Sequence, residues 1–237
     1  MGRVAVVGGQ SIVDTGFAAG GERREVEAPG GPVAVLDAGA FVVLQRHGLD
    51  RYAAPHAIDH RANLRALREL GCDRVLAIGS VGGLRSELGV GSFVSPDDFI
   101  ALHLGVSLFD DEEGHRVPGF DLAWRRRLVD AWSAETDVPL IDGGVYWQTI
   151  GPRLETAAEI RLIAAHADVV GMTLGAECVL AGELGLAHAA VCVVDNLANG
   201  VGEAPLSAEE IVAGAAANRE RLIAALDSVL PAVVEEG

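Results

Sequence analysis

The 237-residue sequence predicts an α/β protein, with a mixed central β-sheet flanked by α-helices as a three-layer α/β/α arrangement in one domain over 1–237. Three observations carry this. Short Val-, Ile- and Ala-rich runs alternate with amphipathic segments of helix length, the pattern of strands separated by helices. Half of the residues are hydrophobic but only 5% are aromatic, so the core must rest on Val, Leu, Ile and Ala, as in strands buried on both faces. The length suits a single substantial core, and no repeat, low-complexity tract or linker interrupts it.

The elements follow in order. Val4-Ala5-Val6-Val7 reads as a buried first strand ending in the Gly8-Gly9 turn. Pro32 to Leu36 and Ala40 to Leu44 read as a pair of strands. Ile58 to Leu70 reads as a helix, with Ile58, Ala62 and Leu67 on or near one face and Gly71 closing it. Arg74 to Ile78 is the next strand, ending in Gly79-Ser80-Val81-Gly82-Gly83. Gly144 to Thr149 is a strand candidate. Thr156 followed by Glu159 forms a capping-box pattern that opens a helix over 157–165. Asp168 to Met172 is a short strand, Ala176 to Leu184 a helix ended by Gly185, and Ala189 to Val194 a buried strand. Ser207 followed by Glu210 is a second capping box, opening a C-terminal helix through Ile211, Ala215, Leu222 and Leu226, with Pro231 just past its expected end.

The net charge of -16 repels phosphate backbones and anionic headgroups, which argues against nucleic acid or a membrane as partner. An anionic small ligand would need a local cluster of cationic groups or amides to overcome that field. The three cysteines, Cys72, Cys178 and Cys192, show no CxxC spacing and read as reduced, buried thiols of a cytoplasmic protein. No signal peptide opens the chain, and no run is long enough to span a bilayer. His60, His103, His115, His166 and His188 show no metal-ligand spacing, so no metal site is expected.

In open α/β sheets, ligands bind beyond the carboxyl ends of strands. Gly8-Gly9-Gln10-Ser11, Arg46-His47-Gly48, Gly79 to Gly83, Met172-Thr173 and Asn196 to Gly200 all fall there. Gly8 to Ser11 offers backbone N–H groups beside side-chain donors, which suits an anion cradle or equally a plain tight turn. It is not GxGxxG, and no GxxxxGK[ST] run exists. Arg46-His47 pairs a guanidinium fork with an imidazole, a phosphate-binding combination or an ordinary solvated strand end. Glu155 is explained as readily by the dipole of the helix it opens, and Asn196 by a turn after a buried strand.

Read together, Gly144-Val145-Tyr146, Gly151-Pro152-Arg153-Leu154-Glu155-Thr156-Ala157-Ala158-Glu159, Val170-Gly171-Met172-Thr173 and Glu177 resemble the trimeric purine nucleoside phosphorylase and methylthioadenosine phosphorylase family. Arg46-His47-Gly48, His60-Arg61-Ala62-Asn63 and Gly79-Ser80-Val81-Gly82-Gly83-Leu84 match that family's pattern in order and spacing. The likeness covers nearly the whole chain and is most similar to the bacterial methylthioinosine phosphorylase branch.

The resemblance implies a homotrimer with sites near the subunit interfaces. It implies phosphorolysis of a purine nucleoside, with inorganic phosphate as co-substrate and no other cofactor. Phosphate would sit against Gly9, Gln10, Ser11, Arg46, His47, Gly79, Ser80 and Thr173. Met172 would pack under the ribose, with Leu154, Val170, Ser80 and Asp195 around the substrate. Glu155 would face the N1 edge of the purine. Asn196, where 6-aminopurine enzymes of the family carry Asp, would hydrogen-bond N7 and the 6-substituent and favour a 6-oxopurine. No His lies between Leu197 and Ile211. Leu206 and Ile211 therefore suggest an apolar pocket for a 5′-deoxy or 5′-methylthio group, which His115, from a loop of a neighbouring subunit, would modify.

The sequence departs from the family pattern at several points. Gln10-Ser11 stands where Thr or Ser followed by Gly is usual, Arg51 where His is frequent, and Asp195 where a neutral Thr or Val is usual. Leu154 replaces an aromatic residue, and Trp147 is a large residue near the same region. A nucleosidase using water and a non-catalytic nucleoside-binding relative are the competing readings, with a methylthioadenosine phosphorylase as the alternative within the family. The phosphate-binding residues argue against the first, and the departures are the best support for the second.

Overall fold

The computed structural model describes residues 2–9, 12, 15–18, 20–202 and 206–235. In chain order these form β1 (Arg3–Gly8), β2 (Glu22–Val26), β3 (Val33–Asp37), β4 (Phe41–Gln45), α1 (His60–Glu69), β5 (Cys72–Gly83), β6 (Phe93–Ser95) and β7 (Asp98–Ile100). Then follow α2 (Leu122–Glu135), β8 (Leu140–Asp142), β9 (Val145–Gln148), α3 (Ala157–Ile163), β10 (Val169–Gly171), α4 (Leu174–Glu183), β11 (Ala187–Leu197) and α5 (Ala208–Glu235).

The described strands form one mixed sheet in which β5 is the hub. It pairs in parallel with β1 on one edge and with β11 on the other. Near its end it also pairs antiparallel with β10, Gly82 facing Val170 and Gly83 facing Val169. Gly79 to Gly83 is therefore strand, not the loop expected from its glycines, because both backbone edges find partners. The hub shows no alternation of apolar and polar residues along its middle: Val75, Leu76, Ala77 and Ile78 are all buried, so both of its faces are covered.

Two apolar layers sandwich the sheet. On one face, Leu64 and Leu67 of α1 and Leu174, Cys178 and Leu180 of α4 pack on Val7, Leu44, Val75 and Ala77. On the other, Trp124, Leu128 and Trp132 of α2 and Leu222, Leu226 and Val229 of α5 pack on Val6, Leu76, Ile78 and Val193. The three-layer architecture is the one the sequence predicts.

Both capping boxes form. Thr156 Oγ1 accepts from the Glu159 N–H, and the Glu159 carboxylate accepts from the Thr156 N–H. Ser207 and Glu210 exchange the same two bonds. Pro231 does not lie past the last helix: α5 continues through it to Glu235. Val229, Leu230 and Val233 are buried against the sheet layer around it, and that packing outweighs the single backbone bond a proline removes. Gly214 sets how closely α5 approaches the sheet. A Cβ there would lie 1.7 Å from the carbonyl oxygen of Asp195, so only glycine permits this contact.

Candidate active site

A cleft of about 890 Å³, part of it open to solvent, lies at the carboxyl ends of β1, β4, β5, β10 and β11. Of the residues singled out from the sequence, Gly9, Arg46, His47, Ser80, Leu154, Glu155, Val170, Met172, Thr173 and Asn196 line it. Gln10 and Ser11 lie outside the described residues. Gly79 does not line the cleft. Its missing side chain admits Leu174, whose Cδ1 would lie 3.0 Å from a Cβ at that position, so Gly79 seats the start of α4. His115 is exposed and away from the cleft of its own chain.

Arg46 differs from the expected free fork. Its Nε donates to Glu177 Oε1 at 2.6 Å and its Nη2 to Glu177 Oε2 at 3.0 Å, a bidentate pair with both side chains buried. Nη1 donates to the Ile78 carbonyl at 2.7 Å, and Nη2 also reaches the Val7 carbonyl at 3.2 Å. A guanidinium has five N–H groups, so these bonds leave Arg46 about one, on Nη1, for the cleft. That nitrogen lies 3.2 Å from the Cβ position of Gly9, as does His47 Nε2, so both groups converge on the bare turn after β1. Burial would raise the Glu177 pKa, but the charge and hydrogen bonds of Arg46 outweigh it and hold the carboxylate ionised.

His47 is held by a hydrogen bond and a ring contact. Its Nδ1 bonds the Ala53 carbonyl at 2.8 Å, which makes Nδ1 the protonated nitrogen and turns Nε2 to the cleft. The ring stacks on Tyr52, centroids 5.0 Å apart and planes 16° apart. Burial and the Arg46 charge hold its pKa below the ordinary value, so the ring is neutral at pH 7. Gly48, with φ +91°, makes the turn, and a Cβ there would lie 2.6 Å from the Arg51 carbonyl.

Thr173 is the N-cap of α4, yet its hydroxyl makes no capping bond. Side chains of β9 cap the helix instead. The Tyr146 hydroxyl accepts from the Thr173 N–H at 3.1 Å, and Gln148 Oε1 accepts from the Ala176 N–H at 3.1 Å. Gly171 and Gly175 make room for these two side chains. The Thr173 hydroxyl is thereby available at a helix N-terminus, where anions are favoured.

Asn196 and Asp195 diverge. The ladder between β5 and β11 skips Asp195, with Val194 opposite Val81 and Asn196 opposite Gly82. Such a bulge re-aims side chains. Asn196 enters the cleft, its Nδ2 donating to the Leu197 carbonyl at 2.9 Å, which leaves Oδ1 and the second N–H. Asp195 does not line the cleft, contrary to its expected place around the substrate. It is 1% exposed and takes hydrogen bonds from Ser80 Oγ at 2.5 Å and Asn218 Nδ2 at 2.9 Å.

Comparison with known proteins places this architecture. Residues 5–231 match the phosphorylase superfamily. The chain belongs to that superfamily. It is similar to the probable 6-oxopurine nucleoside phosphorylase of Archaeoglobus fulgidus, 39% identical over 98% of each chain. It is similar also to the probable S-methyl-5'-thioinosine phosphorylase of Xanthomonas campestris pv. campestris, 37% identical over 85% of this chain and 86% of that one. The solved methylthioadenosine phosphorylase from Schistosoma mansoni in complex with adenine covers 100% of this chain and 93% of its own, with a TM-score of 0.86 and 24% identity, a likeness of fold.

Several parts of this phosphorylase-superfamily cleft escape sequence reasoning. Glu177 stands in the matched motif, but its partner Arg46 is 131 residues away and no local pattern joins them. Tyr52 and Thr149 also line the cleft without having been singled out, whereas Ala198 and Asn199 belong to the expected Asn196 to Gly200 segment. Asn199 Nδ2 donates to the Glu155 carbonyl at 3.0 Å, tying the loop before α3 to the end of β11. Among the described residues no helix is long and apolar enough to cross a membrane.

Proposed function

We propose that this enzyme phosphorolyses purine nucleosides carrying a 6-oxo base, giving the free base and a pentose 1-phosphate. The observation that carries it is one cleft that gathers an anion-binding group, Gly9, Arg46, His47 and Thr173, with a base-binding pair, Glu155 and Asn196. Its two curated relatives above bear names of 6-oxopurine and methylthioinosine phosphorylases, which supports the same reading.

The chemistry needs positioning and electrostatics. As the C1′–N9 bond breaks, its electron pair leaves with the purine and positive charge grows on the sugar. Phosphate against the Gly9 turn, the remaining Arg46 N–H, His47 Nε2, Thr173 Oγ1 and the Ser80 backbone stabilises that charge and then bonds C1′ through an oxygen. The leaving purine anion takes a proton from solvent at N7; Asn196 Oδ1 accepts that hydrogen in a hydrogen bond while its free N–H donates to the 6-oxo group. Glu155 accepts from N1–H. Leu154 and Val170 supply apolar surface to the base and Met172 to the ribose. Inorganic phosphate is the co-substrate, and the product chemistry suits purine salvage in the cytoplasm. The assembly is a homotrimer, in which the exposed His115 lies beside a neighbouring cleft.

Leu206 and Ile211 add apolar surface to the cleft, where the 5′ end would lie. That apolar end favours a 5′-deoxy or 5′-methylthio group. The deciding assay follows base release from inosine, methylthioinosine, adenosine and methylthioadenosine, each with and without phosphate. Phosphate-dependent release of hypoxanthine is expected. Release without phosphate would make the protein a nucleosidase, and poor turnover of methylthioinosine beside good turnover of inosine would defeat the apolar 5′ pocket.

A further inference from the structure

Asp195 is a buried acid one residue from a cleft assigned to an anion, and the activity above gives it no task. Burial raises its pKa, while the bonds from Asn218 and Ser80 favour the ionised form. The structure fixes it unusually firmly. Its backbone is bulged out of the β5–β11 ladder, α5 packs on its carbonyl through Gly214, and each carboxylate oxygen has its own donor. Asn218, on α5, takes Oδ1, and Ser80, on β5, takes Oδ2.

The consequence falls on Ser80, which lines the cleft while Asp195 does not. A serine hydroxyl has one hydrogen and two lone pairs. With its hydrogen committed to Asp195 at 2.5 Å, Ser80 Oγ can offer the cleft only lone pairs. Resting on the phosphorolysis reading, we infer that Asp195 is a positioning residue that holds Ser80 as an obligate hydrogen-bond acceptor, so that Ser80 recognises a hydroxyl hydrogen of the bound reactants. Two reactants carry such a group: protonated orthophosphate, through its P–O–H, and the ribose, through a 2′- or 3′-hydroxyl. An acceptor here discriminates. A ligand that presents a bare oxyanion or lacks the hydroxyl leaves the Ser80 lone pairs facing another acceptor, or nothing.

The informative variant is Asp195→Asn. Asn218 Nδ2 donates to position Oδ1, so the new amide keeps its oxygen there and places its NH2 against Ser80. That NH2 donates to Ser80 Oγ and frees the Ser80 hydrogen to point into the cleft, which turns an acceptor into a donor. Ser80→Ala removes the group without touching α5 and serves where Asp195→Asn disturbs folding. Wild-type phosphorolysis of inosine and of methylthioinosine is measured first, and the better substrate serves for the variants; absence of both activities defeats the parent reading, not this one. Given wild-type activity, both variants should raise the KM of one reactant about tenfold with kcat within about twofold, as loss of one well-made hydrogen bond implies. If the hydroxyl belongs to phosphate, the KM for phosphate rises, and sulfate, which carries no proton at pH 7, inhibits Asp195→Asn more strongly than wild type. If it belongs to ribose, the nucleoside KM rises, and 2′- or 3′-deoxyinosine erases the difference between wild type and variant. In either case the double variant should be no worse than Ser80→Ala, a result that a merely structural Asp195 would not give. Unchanged KM values for both reactants in a folded Ser80→Ala, or a double variant that sums both defects, would overturn the inference.

Discussion

Arg46 and Glu177 form a bidentate ion pair beneath the cleft, 3% and 1% exposed, with Nε–Oε1 at 2.6 Å. The pair joins the loop after β4 to the first turns of α4, the two elements that deliver His47 and Thr173. It also reconciles an acidic protein with the proposed anion site. Arg46 is neutralised locally, so the cleft depends on directed N–H and O–H groups more than on free positive charge. His60 lies near the same carboxylate, Nδ1 to Oε1 at 3.8 Å, with its own pKa lowered chiefly by burial.

Removing one partner of this pair strands a charge. Glu177→Ala is expected to cost about 3–5 kcal/mol of stability, read as a lower urea midpoint. Glu177→Gln keeps the shape and one acceptor, and should cost less while still raising the phosphate KM by loosening Arg46. A Glu177→Ala protein as stable as wild type would mean that solvent reaches Arg46 freely.

Gly214→Ala tests the seat of α5. Alanine gains about 1 kcal/mol of helix propensity over glycine. Against that, its Cβ meets backbone, the Asp195 carbonyl at 1.7 Å, which cannot rotate away. α5 must lift from β11, and overpacking of this kind costs about 1–3 kcal/mol or more. A net loss of stability is expected, together with a raised KM from displaced Ile211 and Asn218. A rise in the thermal midpoint would show that α5 has slack at Gly214.

Acid should destabilise the fold through His188. The ring is 1% exposed, packs on Phe120 at 5.7 Å between centroids, and neither nitrogen has a hydrogen-bond partner among the described residues. Burial lowers its pKa to about 4. Unfolded, it titrates near its ordinary value of about 6.5. Between those values the unfolded chain binds the extra proton, so stability is complete above about pH 6.5 and declines as pH falls toward 4. The full drop is on the order of 3 kcal/mol. His188→Leu should reduce that slope, leaving the part from His47 and His60, whose pKa values are also lowered, chiefly by burial. Equal slopes in wild type and variant, from urea titrations at pH 7, 6 and 5, would clear His188.

Much of the fold was legible because its signals are local. The Val runs of β1, β4 and β11 are buried on both faces, and the boxes at Thr156–Glu159 and Ser207–Glu210 are complete within four residues. β2, Glu-Arg-Arg-Glu-Val, carries no apolar alternation, and its exposed hairpin pairing with β3 is backbone chemistry that side chains do not announce. α2 is the avoidable omission. Asp121 caps it by accepting from the Trp124 N–H, and Trp124, Leu128 and Trp132 repeat every four residues on its buried face. In the cleft, the strand ends were legible from glycine and polar residues after apolar runs. The directions of Asp195 and Asn196 were not, since one bulge decides which of two neighbours enters. Nor was the claim of Glu177 on Arg46, since it arises only when the sheet closes.

The proposed preference for a 6-oxo base rests on Asn196. Its amide can donate to a 6-oxo group and accept from N7–H in the same orientation, because Nδ2 keeps one hydrogen beyond the bond to the Leu197 carbonyl. A carboxylate at this position accepts from N7–H and from a 6-amino group but faces a 6-oxo group with two acceptors. Asn196→Asp is therefore expected to shift the kcat/KM ratio of inosine to adenosine by about 100-fold or more toward adenosine, the scale of a site that rejects a substrate by leaving buried polar groups unpaired. The fold should tolerate the change, since the residue lies at the strand end and is only partly buried. Activity lost equally on both nucleosides would mean that Asn196 acts on N7 alone. A ratio left unchanged with full activity would mean that another residue reads the 6-position, and Asn199, on the same cleft wall, is the next side chain to test.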